Sequence, residues 1–154
     1  MVEMKTQTQR ITTLTELNNI AQGILSLCMR EEDKKIATVL GLSGDLGAGK
    51  TAFTKELAKA LEMKHEITSP TFVIMKSYPI SANKKYTHLI HIDAYRIESD
   101  DEMRVLGLEE ILNDPTKLVC IEWPEKIQGV LPRDIHNVTF VLHSDGMRDV
   151  AYDI

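Results

Sequence analysis

The chain has 154 residues, 43% hydrophobic and 27% charged, a composition that fits one globular domain over residues 1–154 and argues against a disordered chain. With 18 basic against 23 acidic residues the net charge is −5, which lacks the cationic surplus needed to hold DNA or RNA through phosphate contacts alone. No apolar run approaches the ~20 residues of a membrane helix, no signal core opens the chain, and Cys28 and Cys120 are too isolated for a disulfide framework or zinc site, so a cytoplasmic chain with two buried thiols is expected.

Taken in order, Met1–Arg10 reads as a frayed tail. Thr13 and Glu16 form a capping box, and Leu17, Ile20, Ala21, Ile24, Leu25 and Cys28 recur at helical spacing, which predicts a packing helix from Leu14 to about Met29. Ile36–Leu42 is a continuous apolar run, as in a strand buried on both faces of a parallel sheet. A glycine-rich turn follows, and Phe53, Leu57, Ala60 and Leu61 then share one face of a helix over Lys50–Glu62. Phe72–Met75 and Tyr86–Tyr95 read as strands of a hairpin with a longer polar loop around Asn83. Ser99 and Glu102 make a second capping box opening a short helix that Gly107 interrupts or ends. Lys117–Glu122 is another buried-strand candidate, and Val138–Leu142 with Asp149–Ile154 flank Asp145-Gly146, a hairpin turn signal. Alternation of helical and strand periods without repeats or linkers is the pattern of an α/β fold.

Gly44-Asp45-Leu46-Gly47-Ala48-Gly49-Lys50-Thr51 satisfies GxxxxGK[ST] between a strand and a helix, the context of a working phosphate-binding loop rather than a mere glycine-rich connection. The chemistry explains the spacing. Glycines let backbone N–H groups turn inward around an anion, and the helix presents its positive N-terminal end. Lys50 can then reach the β- and γ-phosphates of a nucleotide and Thr51 can ligate Mg²⁺.

Hydrolysis needs carboxylates as well, and two end apolar runs: Leu89-Ile90-His91-Ile92-Asp93 and Leu118-Val119-Cys120-Ile121-Glu122. Ligands gather at the carboxyl ends of strands in open parallel sheets, so Asp93 and Glu122 are expected to face the phosphate site, with solvated loop acids as the bland alternative. His91 shares the side of Asp93 by strand alternation, where it is either a structural histidine or part of the site. Thr68-Ser69-Pro70-Thr71 offers hydroxyls near a γ-phosphate or is a plain turn.

The loop, together with Ser69-Pro70-Thr71-Phe72, His91-Ile92-Asp93-Ala94-Tyr95-Arg96, Leu106-Gly107-Leu108-Glu109-Glu110 and Ile121-Glu122-Trp123-Pro124-Glu125, resembles the TsaE (YjeE) family, small bacterial P-loop ATPases of tRNA threonylcarbamoyladenosine synthesis. Ala52, Ala94 and Lys76-Ser77 depart from the residues common there. The resemblance implies a three-layer, P-loop NTPase-like α/β domain whose central sheet is mainly parallel, with antiparallel additions including a C-terminal hairpin. It implies ATP or ADP held by Asp45, Leu46, Gly47, Ala48, Gly49, Lys50, Thr51, Ala52 and Trp123. It further implies Mg²⁺ on Thr51 and Glu122, hydrolysis served by Asp93 with Glu122 and Lys50, and a nucleotide-sensing switch at Thr68, Ser69, Pro70 and Thr71. Partners are then TsaB-like and TsaD-like proteins, with tRNA met only through the complex. A small-molecule kinase is the alternative, weakened by six scattered arginines, Arg10, Arg30, Arg96, Arg104, Arg133 and Arg148, and no evident lid; a GTPase-type switch lacks NKxD and DxxG. Arg96, three residues past Asp93, falls on the opposite face of a strand, so charge stabilisation is expected in trans and hydrolysis slow in isolation.

Overall fold

The two continuous apolar runs become the middle of a sheet, because a strand with no polar face must be covered on both sides. A computed structural model describes residues 5–153. Its strands are β1 (Thr6–Ile11), β2 (Thr38–Ser43), β3 (Met75–Pro79), β4 (His88–Asp93), β5 (Lys117–Glu122), β6 (His136–Leu142) and β7 (Arg148–Asp153), and its helices α1 (Leu14–Arg30), α2 (Lys50–Ala60), α3 (Asp100–Val105) and α4 (Leu108–Leu112), with a 3₁₀ segment at Pro124–Val130. The strands form one mixed sheet in the order β1-β7-β6-β2-β5-β4-β3. β6, β2, β5 and β4 run parallel at its centre, and β7, β1 and β3 add antiparallel at the edges.

Neighbouring strand residues divide between two cores. Leu40, Leu42, Leu118 and Cys120 pack with α1 and α2, while Val39, Val119 and Ile121 pack with Met103, Leu108 and Leu112 of α3 and α4 and Ile127 of the 3₁₀ segment. This is a three-layer α/β arrangement. α1 is fixed by its predicted stripe, with Leu17, Ile20 and Ile24 all buried, each contributing about 1.5–3 kcal/mol relative to exposure. Its start is capped as expected, the Glu16 N–H donating to Thr13 Oγ1 at 3.2 Å and the Glu16 carboxylate accepting from the Thr12 and Thr13 hydroxyls. Cys28 and Cys120 are buried free thiols, and burial pushes the Cys28 thiol up to about 12.

Four expectations need correction. Residues 6–10 of the expected tail, with Ile11, pair with β7 from Thr6↔Asp153 to Ile11↔Arg148; residues 1–4, and Ile154 of the expected last strand, lie outside the described residues. Only Ile11 of that strand is buried, so no apolar period announces it, and it forms because β7 presents an open row of main-chain partners. Phe72 and Val73 belong to a turn, not a strand. The Pro70 carbonyl accepts from the N–H groups of both Val73 (3.1 Å) and Ile74 (2.7 Å), closing the chain before β3 can start at Met75. The Tyr86–Tyr95 run yields only His88–Asp93; before it, the Asn83 side chain accepts from the Lys85 and Tyr86 N–H groups and holds a loop. The second capping box is not made: the Ser99 hydroxyl does not cap α3, and the Glu102 carboxylate accepts from the Glu98 N–H at 3.1 Å, one residue before the cap.

Candidate functional site

Between the end of β2 and the start of α2 the chain must turn within six residues, and glycine makes that possible. Gly44, Gly47 and Gly49 have φ of 151°, 77° and 118°, and a Cβ on Gly44 would lie 2.6 Å from the Phe140 carbonyl oxygen. The loop so formed folds back over Lys50, whose Nζ donates to the carbonyl oxygens of Gly44 and of Asp45, the latter at 2.9 Å. Its ammonium also lies 4.5 Å from the centre of the Trp123 ring, a cation–π contact. Burial pulls the Lys50 pKa below the ordinary lysine value, and the Glu122 and Asp93 carboxylates push it back.

Register brings those carboxylates together. In the parallel β4–β5 pair Asp93 stands opposite Glu122, and both are nearly buried. Glu122 accepts from the Thr51 hydroxyl at 3.0 and 3.1 Å, and its Oε2 lies 2.8 Å from His91 Nε2. Asp93 accepts from the Thr71 hydroxyl and from the Tyr95 N–H, each at 3.0 Å, and Ser69 Oγ lies 2.6 Å from Thr71 Oγ1. A hydroxyl and a carboxylate are the hard oxygen donors Mg²⁺ takes. Their 3.0 Å spacing is close to the ~2.9 Å edge of an octahedron with Mg–O of ~2.05 Å, so Thr51 and Glu122 fit two adjacent positions of such an ion.

The result is one cleft of about 390 Å³, lined by Leu46, Gly47, Gly49, Lys50, Thr51, Ala52, Ser69, Thr71, Asp93, Tyr95, Glu122, Trp123 and Arg148. Most of the residues expected to act together therefore meet. Four do not line it: Ala48 is buried in the core beneath the loop, Asp45 contributes its carbonyl to Lys50, Pro70 is buried with its carbonyl closing the turn, and Thr68 faces outward, its hydroxyl held by Lys76 Nζ. Trp123 is half-buried at the cleft wall rather than sunk in the core, in a left-handed backbone conformation (φ 60°) and 5.3 Å from the Tyr95 ring. Arg96 is not on a strand at all; β4 stops at Asp93, and the Arg96 guanidinium stacks 4.9 Å from the exposed Phe72 ring.

Two cleft residues escape sequence reasoning. Tyr95 carries a signal, lying two residues past Asp93, but its ring contact with Trp123 depends on the turn after β4. Arg148 carries none, being more than ninety residues from the loop and brought to it by the C-terminal hairpin, where its Nη2 donates to the Gly47 carbonyl at 3.3 Å.

The family described as threonylcarbamoyl adenosine biosynthesis protein TsaE matches residues 11–150 of this chain. The chain belongs to the TsaE family. Curated TsaE-family relatives, each named tRNA threonylcarbamoyladenosine biosynthesis protein TsaE, include one from Borreliella burgdorferi, 38% identical over 112 residues that cover 72% of this chain and 78% of that protein. The Bacillus subtilis relative is 39% identical over 119 residues, 77% and 70% of the two chains, and that of Rickettsia felis 36% identical over 136 residues, 81% and 76%. The crystal structure of Bacillus subtilis YdiB superposes with a TM-score of 0.73 at 29% identity, covering 99% of this TsaE-family chain and 88% of YdiB. Among the described residues no helix is long and apolar enough to cross a membrane.

Proposed function

We propose that this chain is a Mg²⁺-dependent ATP-binding and hydrolysing subunit that acts in the cytoplasm with TsaB-type and TsaD-type proteins in tRNA threonylcarbamoyladenosine synthesis. The observation that carries the reading is the convergence of the glycine loop, Lys50 and Thr51 at the start of α2 with two strand-end carboxylates, Asp93 and Glu122, around one cleft. The names of the relatives supply the pathway.

Each residue then has a task its position supports. The loop N–H groups and the N-terminal end of α2 receive the phosphates. Lys50 exchanges the Gly44 and Asp45 carbonyls for β- and γ-phosphate oxygens, a short movement for a flexible side chain. Thr51 and Glu122 hold Mg²⁺, which when bound neutralises phosphate charge and orients the γ-phosphoryl. Asp93 orients the attacking water, and its bond to Thr71 links hydrolysis to the Ser69–Thr71 switch segment. Arg148, the arginine of the cleft lining, approaches Gly47 and not the carboxylate end; the cation that stabilises the transferring phosphoryl is therefore expected from a partner.

The test is phosphate release by the protein alone, with tRNA, and with TsaB and TsaD proteins. Slow release alone and stimulation by the two partners together is the expected result, abolished by Lys50→Ala. Full activity without partners, or stimulation by bare tRNA, overturns the subunit reading.

A further inference from the structure

The cleft has two ends, and the topology of the sheet assigns them. Glu122 and Asp93 come from β5 and β4, which lie on one side of β2; β6 and β7 lie on the other. A nucleotide whose metal-bearing phosphate end points to the carboxylates must leave the loop at its opposite edge, beside the β6–β7 hairpin. Arg148, the first residue of β7, reaches over that edge.

Its Nη2 donates to the Gly47 carbonyl, and a Cβ placed on Gly49 would lie 3.6 Å from its Cδ and 3.7 Å from its Nε, so the side chain is laid along the loop backbone. Its Nε is buried and has no hydrogen-bond partner among the described residues. The neighbouring carboxylate, Asp149, is already engaged by Arg10 and His143. A buried guanidinium N–H without an acceptor is a standing cost, which a small swing of this long side chain off the loop and onto a ligand oxygen removes, and the flat guanidinium face suits packing against a base.

We propose that Arg148 is a nucleoside-binding residue: its guanidinium packs against the purine of a bound ATP or ADP, and its Nε–H donates to an oxygen of the nucleoside. This rests on the nucleotide-binding reading above. Lys50 and the start of α2 serve the phosphates, and Arg148 serves the other half of the molecule.

The experiment measures binding of ADP by calorimetry, and of pyrophosphate by competition with a fluorescent ADP, for the wild type, Arg148→Ala and Arg148→Lys, with thermal unfolding of each as a check on folding. Loss of a desolvated cation–π contact predicts ADP binding weakened about tenfold in Arg148→Ala, with pyrophosphate binding unchanged. Arg148→Lys keeps the charge and the aliphatic stem, so it preserves folding should the alanine variant not, and it is expected to remain weak for ADP because an ammonium has no stacking plane. Unchanged ADP affinity, or parallel loss of ADP and pyrophosphate, overturns the assignment, the second outcome marking Arg148 as a phosphate ligand. Absence of ADP binding by the wild type overturns the nucleotide reading itself, an outcome distinct from a wild type that binds and a variant that binds equally well.

Discussion

Glu122 is the residue on which most of the site depends, since one carboxylate serves the Thr51 hydroxyl and the fully buried His91 ring. Removing it leaves His91 without its partner in a dry environment, which costs about 1–3 kcal/mol. Glu122→Ala is therefore expected to weaken Mg²⁺-dependent nucleotide binding and lower the urea midpoint. Glu122→Gln, which can still accept from Thr51, should lose the metal dependence while keeping most of the stability. Asp93→Ala should behave differently, retaining nucleotide affinity and losing phosphate release, because its partners are Thr71 and the Tyr95 N–H rather than Thr51. Wild-type turnover in both alanine variants with partners present would remove both acids from the site. Trp123 is the sole tryptophan and sits 4.5 Å from Lys50 Nζ, so moving that ammonium onto phosphates changes the field at the indole. Its emission should shift on addition of ADP and not in Lys50→Ala; an invariant spectrum at saturating ADP counts against a cleft-facing ring.

At the scale of elements, the β2–α2 connection is the most constrained segment. Gly44 combines a φ of 151° with a Cβ position 2.6 Å from the Phe140 carbonyl oxygen, a main-chain atom of β6 that cannot step aside. Gly44→Ala should destabilise the fold by about 2–4 kcal/mol, strain and overlap together. Gly23, inside α1, is the contrasting case: nothing lies within 4 Å of its Cβ position, and Gly23→Ala should stabilise by about 0.5–1 kcal/mol through helix propensity. Equilibrium unfolding of the two variants checks both signs. The turn that follows Pro70 is strained in a related way. Ile74, a β-branched residue, holds a φ of 69° while its carbonyl accepts from the Asp93 N–H at 2.8 Å, so the turn that carries Ser69 and Thr71 is anchored directly on the strand that carries Asp93.

Across the whole molecule, the first and last strands are joined at the sheet edge, where Asp149 of β7 receives Arg10 of β1 at 2.8 Å and His143 of the hairpin turn at 2.8 Å. The Arg10 guanidinium, with His143, holds the Asp149 carboxyl down to about 2, against an ordinary value of 3.8. A carboxyl depressed in the folded state stabilises it fully above the unfolded pKa, and that contribution is lost as pH falls from about 4 towards 2. Asp149→Asn should therefore flatten the acid limb of the stability curve, measured as unfolding midpoint against pH, and leave the neutral-pH fold intact. What residues alone determine here are features with local causes: a loop that only glycine can make, strands apolar on both faces, a helix capped by Thr13, acids closing two strands. The Asp145-Gly146 turn belongs with them, its loop closed by the Gly146 N–H donating to the His143 carbonyl and Gly146 at φ 85°. Tertiary structure alone decides which distant pieces meet. That Asp93 stands opposite Glu122 follows from β4 lying beside β5; that a polar N-terminal segment becomes β1 follows from the open edge of β7; that Arg148 reaches Gly47 follows from the β6–β7 hairpin folding back beside β2. Such contacts are set by strand order and register, main-chain pairings between segments far apart in the chain, and the side chains that depend on them carry no periodic or turn signal of their own.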